Sequence, residues 1–281
     1  MLTKEEKRIF RQDLFQYLDG LGAGPSTYVL FKNGILEHII QKGRVILSSI
    51  AADFKANEGY LNVALRLMAS QGWLTQDVDN TTDLVVYSTT DRSSFLQAQC
   101  GLYKDDYDLL LLSGKYHKRL FDKEPFDIWL GITNEFRSGY GITLSDDPVE
   151  REVQAQILKH IEGILMAPSL VALGMSGMFH QYFMEHSFKA EEFHQDPESF
   201  TLLLDFFSYL GWFRRKNDTF QFTEKGLFFA KRASAFGVTV SYNPTFRNIE
   251  TLLFGDPLEM WNVAEGQAEK HVDRAMNVWG S

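Results

Sequence analysis

The densest gathering of metal-ligating side chains in the sequence is His180, His186 and His194 with Glu185, Glu191 and Glu192. Imidazole nitrogens and carboxylate oxygens together would suit zinc or iron. Their spacing lacks the i, i+4 histidine pair of a His-Glu-x-x-His helix, so a solvated helix face is the better reading and no metal ligand is assigned. Asp105, Asp106, Asp108, Asp146 and Asp147 would supply acid and base pairs, but acids beside turns serve first as solvated caps. Gly20-Leu-Gly22-Ala-Gly24 has the bare Gly-x-Gly-x-Gly spelling of a nucleotide or S-adenosylmethionine loop. That loop follows a buried strand, whereas here an amphipathic helix comes first, so the glycines read as a helix stop. No serine sits in a nucleophile-elbow spelling, and the one cysteine, Cys100, reads as a small buried hydrophobe. Catalytic and cofactor-binding residues are accordingly expected to be none.

Two short basic patches bear on nucleic acid, Lys115-Tyr-His-Lys-Arg119 and Arg214-Arg-Lys216. Against them stands a formal net charge of −9, from 28 Lys plus Arg and 37 Asp plus Glu. Such a balance repels a phosphate backbone unless the cations gather on one face. Nucleic acid is therefore an unfavourable partner.

The elements that would hold these groups follow from periodicity. Ile9, Phe10, Leu14, Phe15 and Leu18 mark a first helix over 5–19, ended by the glycine cluster and Pro25. Tyr28 to Ile40 reads as a second helix, stopped near Gly43. A short helix over 47–54 precedes one capped by Asn57 and stopped at Gly72-Trp73. Turn residues over 77–83, a strand Leu84-Val-Val-Tyr87 and a helix start over 91–96 complete the order of a winged helix. Leu102–Tyr116 and Pro125–Phe136 read as further packing segments, and Ser138 to Pro148 as a linker.

The same order returns in the second half. Ser169–Phe183 reads as a helix, Lys189–Phe193 as a short one, and Asp196-Pro197 as the cap and first residue of another that stops at Gly211-Trp212. Asp196 lies 139 residues after Asn57, and Gly211 lies 139 after Gly72. The apolar positions between align without a gap, Leu61 with Phe200 and Met68 with Phe207. The expectation is a mainly α chain with small β-wings, two winged-helix-like domains in tandem. Residues 1–145 form the first with its N-terminal helices, 146–240 the second, and 241–281 a connecting segment whose helix, Trp261–Trp279, leads toward a core outside the chain. At 281 residues two hydrophobic cores are the default.

The first copy, from Phe31-Lys-Asn-Gly-Ile-Leu through Ala51-Ala-Asp-Phe to Leu67-Met-Ala-Ser-Gln-Gly-Trp-Leu74, resembles the winged-helix N-terminal domain of class I S-adenosylmethionine-dependent methyltransferases. The tail, His271-Val-Asp-Arg-Ala-Met-Asn-Val-Trp-Gly-Ser281, is similar to the helix leading into their Rossmann core. The duplicated arrangement looks most like the N-terminal region of C-methyltransferases in the loading modules of bacterial polyketide synthases. There that region is similar to a lid over the acyl substrate. The resemblance implies S-adenosylmethionine as the cofactor of a parent enzyme, with none bound by this chain. It implies a methyltransferase core or other synthase domains as partners, with acyl carrier protein a further one. No strand and glycine loop follow Ser281, so the family's cofactor-binding and catalytic positions have no counterparts here.

The function expected is thus a non-catalytic lid or adaptor in polyketide biosynthesis, with Phe254, Met260 and Trp261 facing a substrate cleft. The competing expectation is a tandem winged-helix transcription regulator, with Arg214, Arg215 and Lys216 in its wing. The opening Met-Leu-Thr-Lys-Glu-Glu-Lys-Arg lacks the apolar core of a signal peptide. No run approaches the roughly 18 consecutive apolar residues of a membrane span. A cytoplasmic protein with no membrane partner is expected.

Overall fold

The computed structural model describes residues 2–79, 81–112, 123–261 and 269–281. Thr3 opens the first helix, α1 (Lys4–Lys32), with a capping box: its hydroxyl accepts from the Glu6 N–H, and Glu6 returns a carboxylate to the Thr3 N–H. The helix runs straight through Gly20–Gly24 and Pro25, correcting the helix stop expected there. The cause is a close crossing with α8 (Pro148–Met175). A Cβ on Gly20 would stand 2.5 Å from His160 Cα, and one on Gly163 would stand 2.5 Å from the Tyr17 carbonyl oxygen. Only hydrogen fits at either point, and the packing gained offsets glycine's low helix propensity.

The crossing repeats itself. Tyr17 and His160, Gly20 and Gly163, Pro25 and Pro168, and Ser26 and Ser169 are each 143 residues apart. Tyr17 meets Gly163 while His160 meets Gly20, so the contact maps onto itself, as across a two-fold axis. Sequence spacing revealed the duplication only from Asn57 onward, because a four-residue change in offset hides it in the long helices.

After α1 come α2 (Ile35–Lys42), β1 (Arg44–Ile46), α3 (Leu47–Phe54), α4 (Glu58–Ser70), β2 (Leu74–Asp79), β3 (Leu84–Thr89) and α5 (Ser93–Gln99). After α8 the same series follows as α9 (Gln181–Glu185), β4 (Phe188–Lys189), a 3-10 turn (Ala190–Glu192), α10 (Pro197–Tyr209), β5 (Phe213–Lys216), β6 (Thr219–Phe222) and α11 (Glu224–Ala230). Both sheets are antiparallel, with orders β1-β3-β2 and β4-β6-β5, which is one topology twice. Asn57 and Asp196 cap the equivalent helices α4 and α10 through the N–H groups of Tyr60 and Ser199. Gly72 and Gly211 end them with φ of +76° and +81°, a conformation glycine adopts without strain.

Four further expectations change. The helix read over Ser169–Phe183 is the C-terminal part of α8 followed by α9, and Asp147-Pro148, read as linker, caps and begins α8. The two copies do not keep separate cores: their buried side chains make one continuous cluster, because the glycine crossing brings α1 and α8 into contact along their length. The helix read over Trp261–Trp279 is, in the described residues, a turn α15 (Leu258–Trp261) and a separate helix α16 (Arg274–Gly280) capped by Asp273. Helix α16 packs back on α12 (Ser234–Ser241), where Gly280 lies against Gly237 and Trp279 covers Gly174.

Between the copies lie α6 (Lys104–Leu111) and α7 (Lys123–Arg137); α13 (Asn243–Phe246) and α14 (Ile249–Phe254) follow α12. Helix α8 is long and apolar enough to cross a membrane, with 78% of its apolar window buried inside the fold.

Candidate functional site

Where the first turns of α1 meet the second wing, an open groove of about 330 Å³ separates Leu2, Glu6 and Phe10 from Arg214, Thr223 and Lys225. Three local features build its walls. Phe10 is fixed by edge contact with Phe228, their ring centroids 5.5 Å apart. Thr223 caps α11, accepting from the Gly226 N–H, and donates its hydroxyl to the carbonyls of Gly211 and Trp212 at 2.7 and 3.1 Å. Lys225 spends one ammonium proton on the Leu210 carbonyl at 2.8 Å. Burial lowers its pKa below the usual lysine value, Glu162 opposing and Lys159 adding to the effect.

A buried polar group lies between the two long helices. The Tyr17 hydroxyl donates to Glu162, and Lys159 reaches Glu162 at 3.0 Å and Asp13 at 3.5 Å. Burial, followed by the adjacent Glu162 carboxylate, raises the Tyr17 phenol well above its ordinary value, so it acts as a donor and not as a base.

The first copy repeats the junction of wing and long helix with different residues. Thr90 donates to the carbonyls of Gly72 and Trp73 as Thr223 does to Gly211 and Trp212. Arg92 stands where Lys225 stands, two residues after the threonine, and makes an ion pair with Glu152 of α8. The residue 143 positions before Glu152 is Ile9, so the second copy has no carboxylate there. The tryptophans differ likewise: Trp73 Nε1 donates to Gln156 at 2.9 Å, whereas Trp212 Nε1, equally buried, has no partner. Gln156 corresponds to Asp13, which is turned to Lys159.

The residues singled out in the sequence do not converge. Met260 is buried, Phe254 is partly buried against the core, and Trp261 is exposed, its indole N–H on the Tyr60 hydroxyl at 3.2 Å and its ring against His271. The histidines serve local structure: His180 caps α9 through the Tyr182 N–H, and His194 accepts from the Asp196 N–H. Among the described residues no three His, Cys, Asp or Glu gather as a metal site. Cys100 is buried and its thiol pKa is raised by desolvation. Asp147 caps α8, while Asp106, read as solvated, is buried with both carboxylate oxygens unpartnered. Gly20–Gly24 lies inside a helix and faces side chains and backbone, which excludes a phosphate loop. Lys115–Arg119 lies outside the described residues.

The wing cations are partly neutralised. Arg215 holds both oxygens of Asp205 at 2.6 Å and lies over the Phe220 ring, while Lys189 pairs with Asp218. On α10, the helix a DNA reader would place in the groove, the exposed residues include Glu198, Leu202 and Tyr209.

Residues 162–256 match the AprA winged helix domain family. That span runs from the middle of α8 through both strands of the second wing to the end of α14. Residues 10–76 match the AprA N-terminal domain family, covering α1 to the start of the first wing. No curated protein matches the chain. The match and the sheet topology agree on a mainly α chain with small β-wings.

The groove was missed in the sequence. The missing signal was the substitution of Ile9 for Glu152 across a repeat whose offset changes from 143 to 139.

Proposed function

We propose that the chain is a non-catalytic lid or adaptor region of an S-adenosylmethionine-dependent methyltransferase acting in polyketide biosynthesis. On this reading it packs on the methyltransferase core and shapes access for an acyl or acyl-carrier substrate. The observation that carries the proposal is the outer face of α10. Leu202 is 44% exposed and Tyr209 54%, and Asp205 between them takes up Arg215 of the wing. Such a face has little for phosphate and offers apolar area and an aromatic anchor to another protein. Trp261, exposed on α15, is the accessible member of the three residues assigned to a substrate cleft.

The test is titration calorimetry of this chain with a separately produced methyltransferase core of a polyketide loading module. The expected result is a saturable complex, weakened by Leu202→Glu and Tyr209→Glu, with no heat when S-adenosylmethionine is titrated into the chain alone. Tight S-adenosylmethionine binding by the chain alone would overturn it. So would salt-sensitive duplex binding lost in Arg214→Ala with Lys216→Ala, which belongs to a regulator.

A further inference from the structure

The duplication supplies an internal control for the groove beside the second wing. In the first copy the wing is joined to the long helix α8 by the Arg92–Glu152 ion pair. In the second, Lys225 occupies the cation's place and Arg214 adds a second positive charge from β5, while Ile9, the sequence equivalent of Glu152, brings no carboxylate. Arg214 is exposed and makes no hydrogen bond or ion pair with another described side chain, and Lys225 donates only to the Leu210 carbonyl. Trp212, whose buried Nε1–H has no partner, adjoins Gly211 and accepts at its carbonyl from Thr223, and both of those residues line the groove. Leu2 and Phe10 give the opposite wall an apolar lining.

We propose that this groove binds a small molecule bearing one carboxylate on a short aliphatic arm. The carboxylate lies between Lys225 and Arg214 and takes the part that Glu152 plays in the first copy. The arm lies along Leu2 and Phe10. Glu6 and Glu224 also line the groove. Glu6 is committed to the cap of α1, where it accepts from the Thr3 N–H and hydroxyl at 2.7 and 2.8 Å. Carboxylates at the rim repel a phosphate dianion more strongly than a monoanion, so between the two the groove discriminates against phosphate. The site concerns a ligand of this chain and stands independently of the lid proposal.

The experiment is a titration of the intact chain with sodium hexanoate, followed by the five tryptophan indole N–H signals in a nitrogen-15 correlation spectrum. Hexan-1-ol and inorganic phosphate serve as separate probes. Hexanoate is expected to move the Trp212 indole signal saturably, and neither comparison probe should match it. Arg214→Ala and Ile9→Glu are each expected to weaken binding about tenfold or more, the latter by restoring the first copy's internal ion pair. Ile9 is 42% exposed, so the Glu variant is expected to fold, and an unchanged melting curve verifies it. Equal response to hexan-1-ol would reduce the groove to an apolar crevice and overturn the proposal. Equal binding of phosphate, or hexanoate binding unaffected by Ile9→Glu in the folded variant, would overturn it as well.

Discussion

Gly163 of α8 lies so close to Tyr17 of α1 that a Cβ would stand 2.5 Å from the Tyr17 carbonyl oxygen, and Gly20 stands in the same relation to His160. The obstacle is backbone on both sides, so no rotamer change relieves it. Gly163→Ala and Gly20→Ala are each expected to cost about 2–3 kcal/mol, read from the urea midpoint. Gly131, in the middle of α7 with nothing within 4 Å of an added Cβ, has the opposite sign. There Ala is expected to stabilise by about 0.5–1 kcal/mol, as the loss of backbone entropy on folding falls.

His160 is buried, with Nδ1 on the Tyr103 hydroxyl at 2.8 Å and Nε2 unpartnered. Burial lowers its pKa from 6.5 to about 3. The unfolded chain therefore binds a proton that the folded one refuses between those values. This contribution to stability is complete above about pH 6.5 and is lost as pH falls toward 3. His160→Gln should flatten urea midpoints between pH 7 and 5 relative to the parent chain; parallel curves would refute the assignment.

Asp106 has the reverse sign. Its burial, with Asp105 adding to it, raises the carboxyl well above the ordinary value, so the fold holds the proton that the unfolded chain releases. Stability on this account is greatest below the unfolded pKa and falls as pH rises through the folded one. Asp106→Asn is expected to raise the melting temperature at pH 7 and to change it little at pH 4. An equal effect at both would show that the site does not retain the proton.

Thr90 and Thr223 fasten each wing to the end of its preceding helix through paired bonds to the Gly-Trp carbonyls. Thr223 also caps α11. Replacement of either by Ala should cost about 1–2 kcal/mol by denaturant unfolding, and the Thr223 change the more.

Local chemistry made much of the fold legible. Asn57, Asp196, Gly72 and Gly211 announce their helix ends because caps and positive-φ stops act within a few residues. Phe220 and Phe222 alternate with Gln221 as a half-buried strand must. The glycine cluster misled for the same reason: in isolation Gly20–Gly24 with Pro25 is a poor helix, and the partner that makes it a good one, α8, is about 140 residues distant in sequence. The groove was invisible because it depends on the absence of a carboxylate at Ile9, and an absence has no signature until the first copy is laid over the second.

The sequence alone determined the caps and stops of α4 and α10, the duplication from Asn57 onward and the acidic charge balance, since these rest on capping and composition. Only the tertiary structure decided that the duplication includes the long helices and that both copies share one core. It also decided which of two equivalent cations has a carboxylate partner. Each of those depends on backbones meeting at distances set by residues far apart in the chain, which no local pattern records.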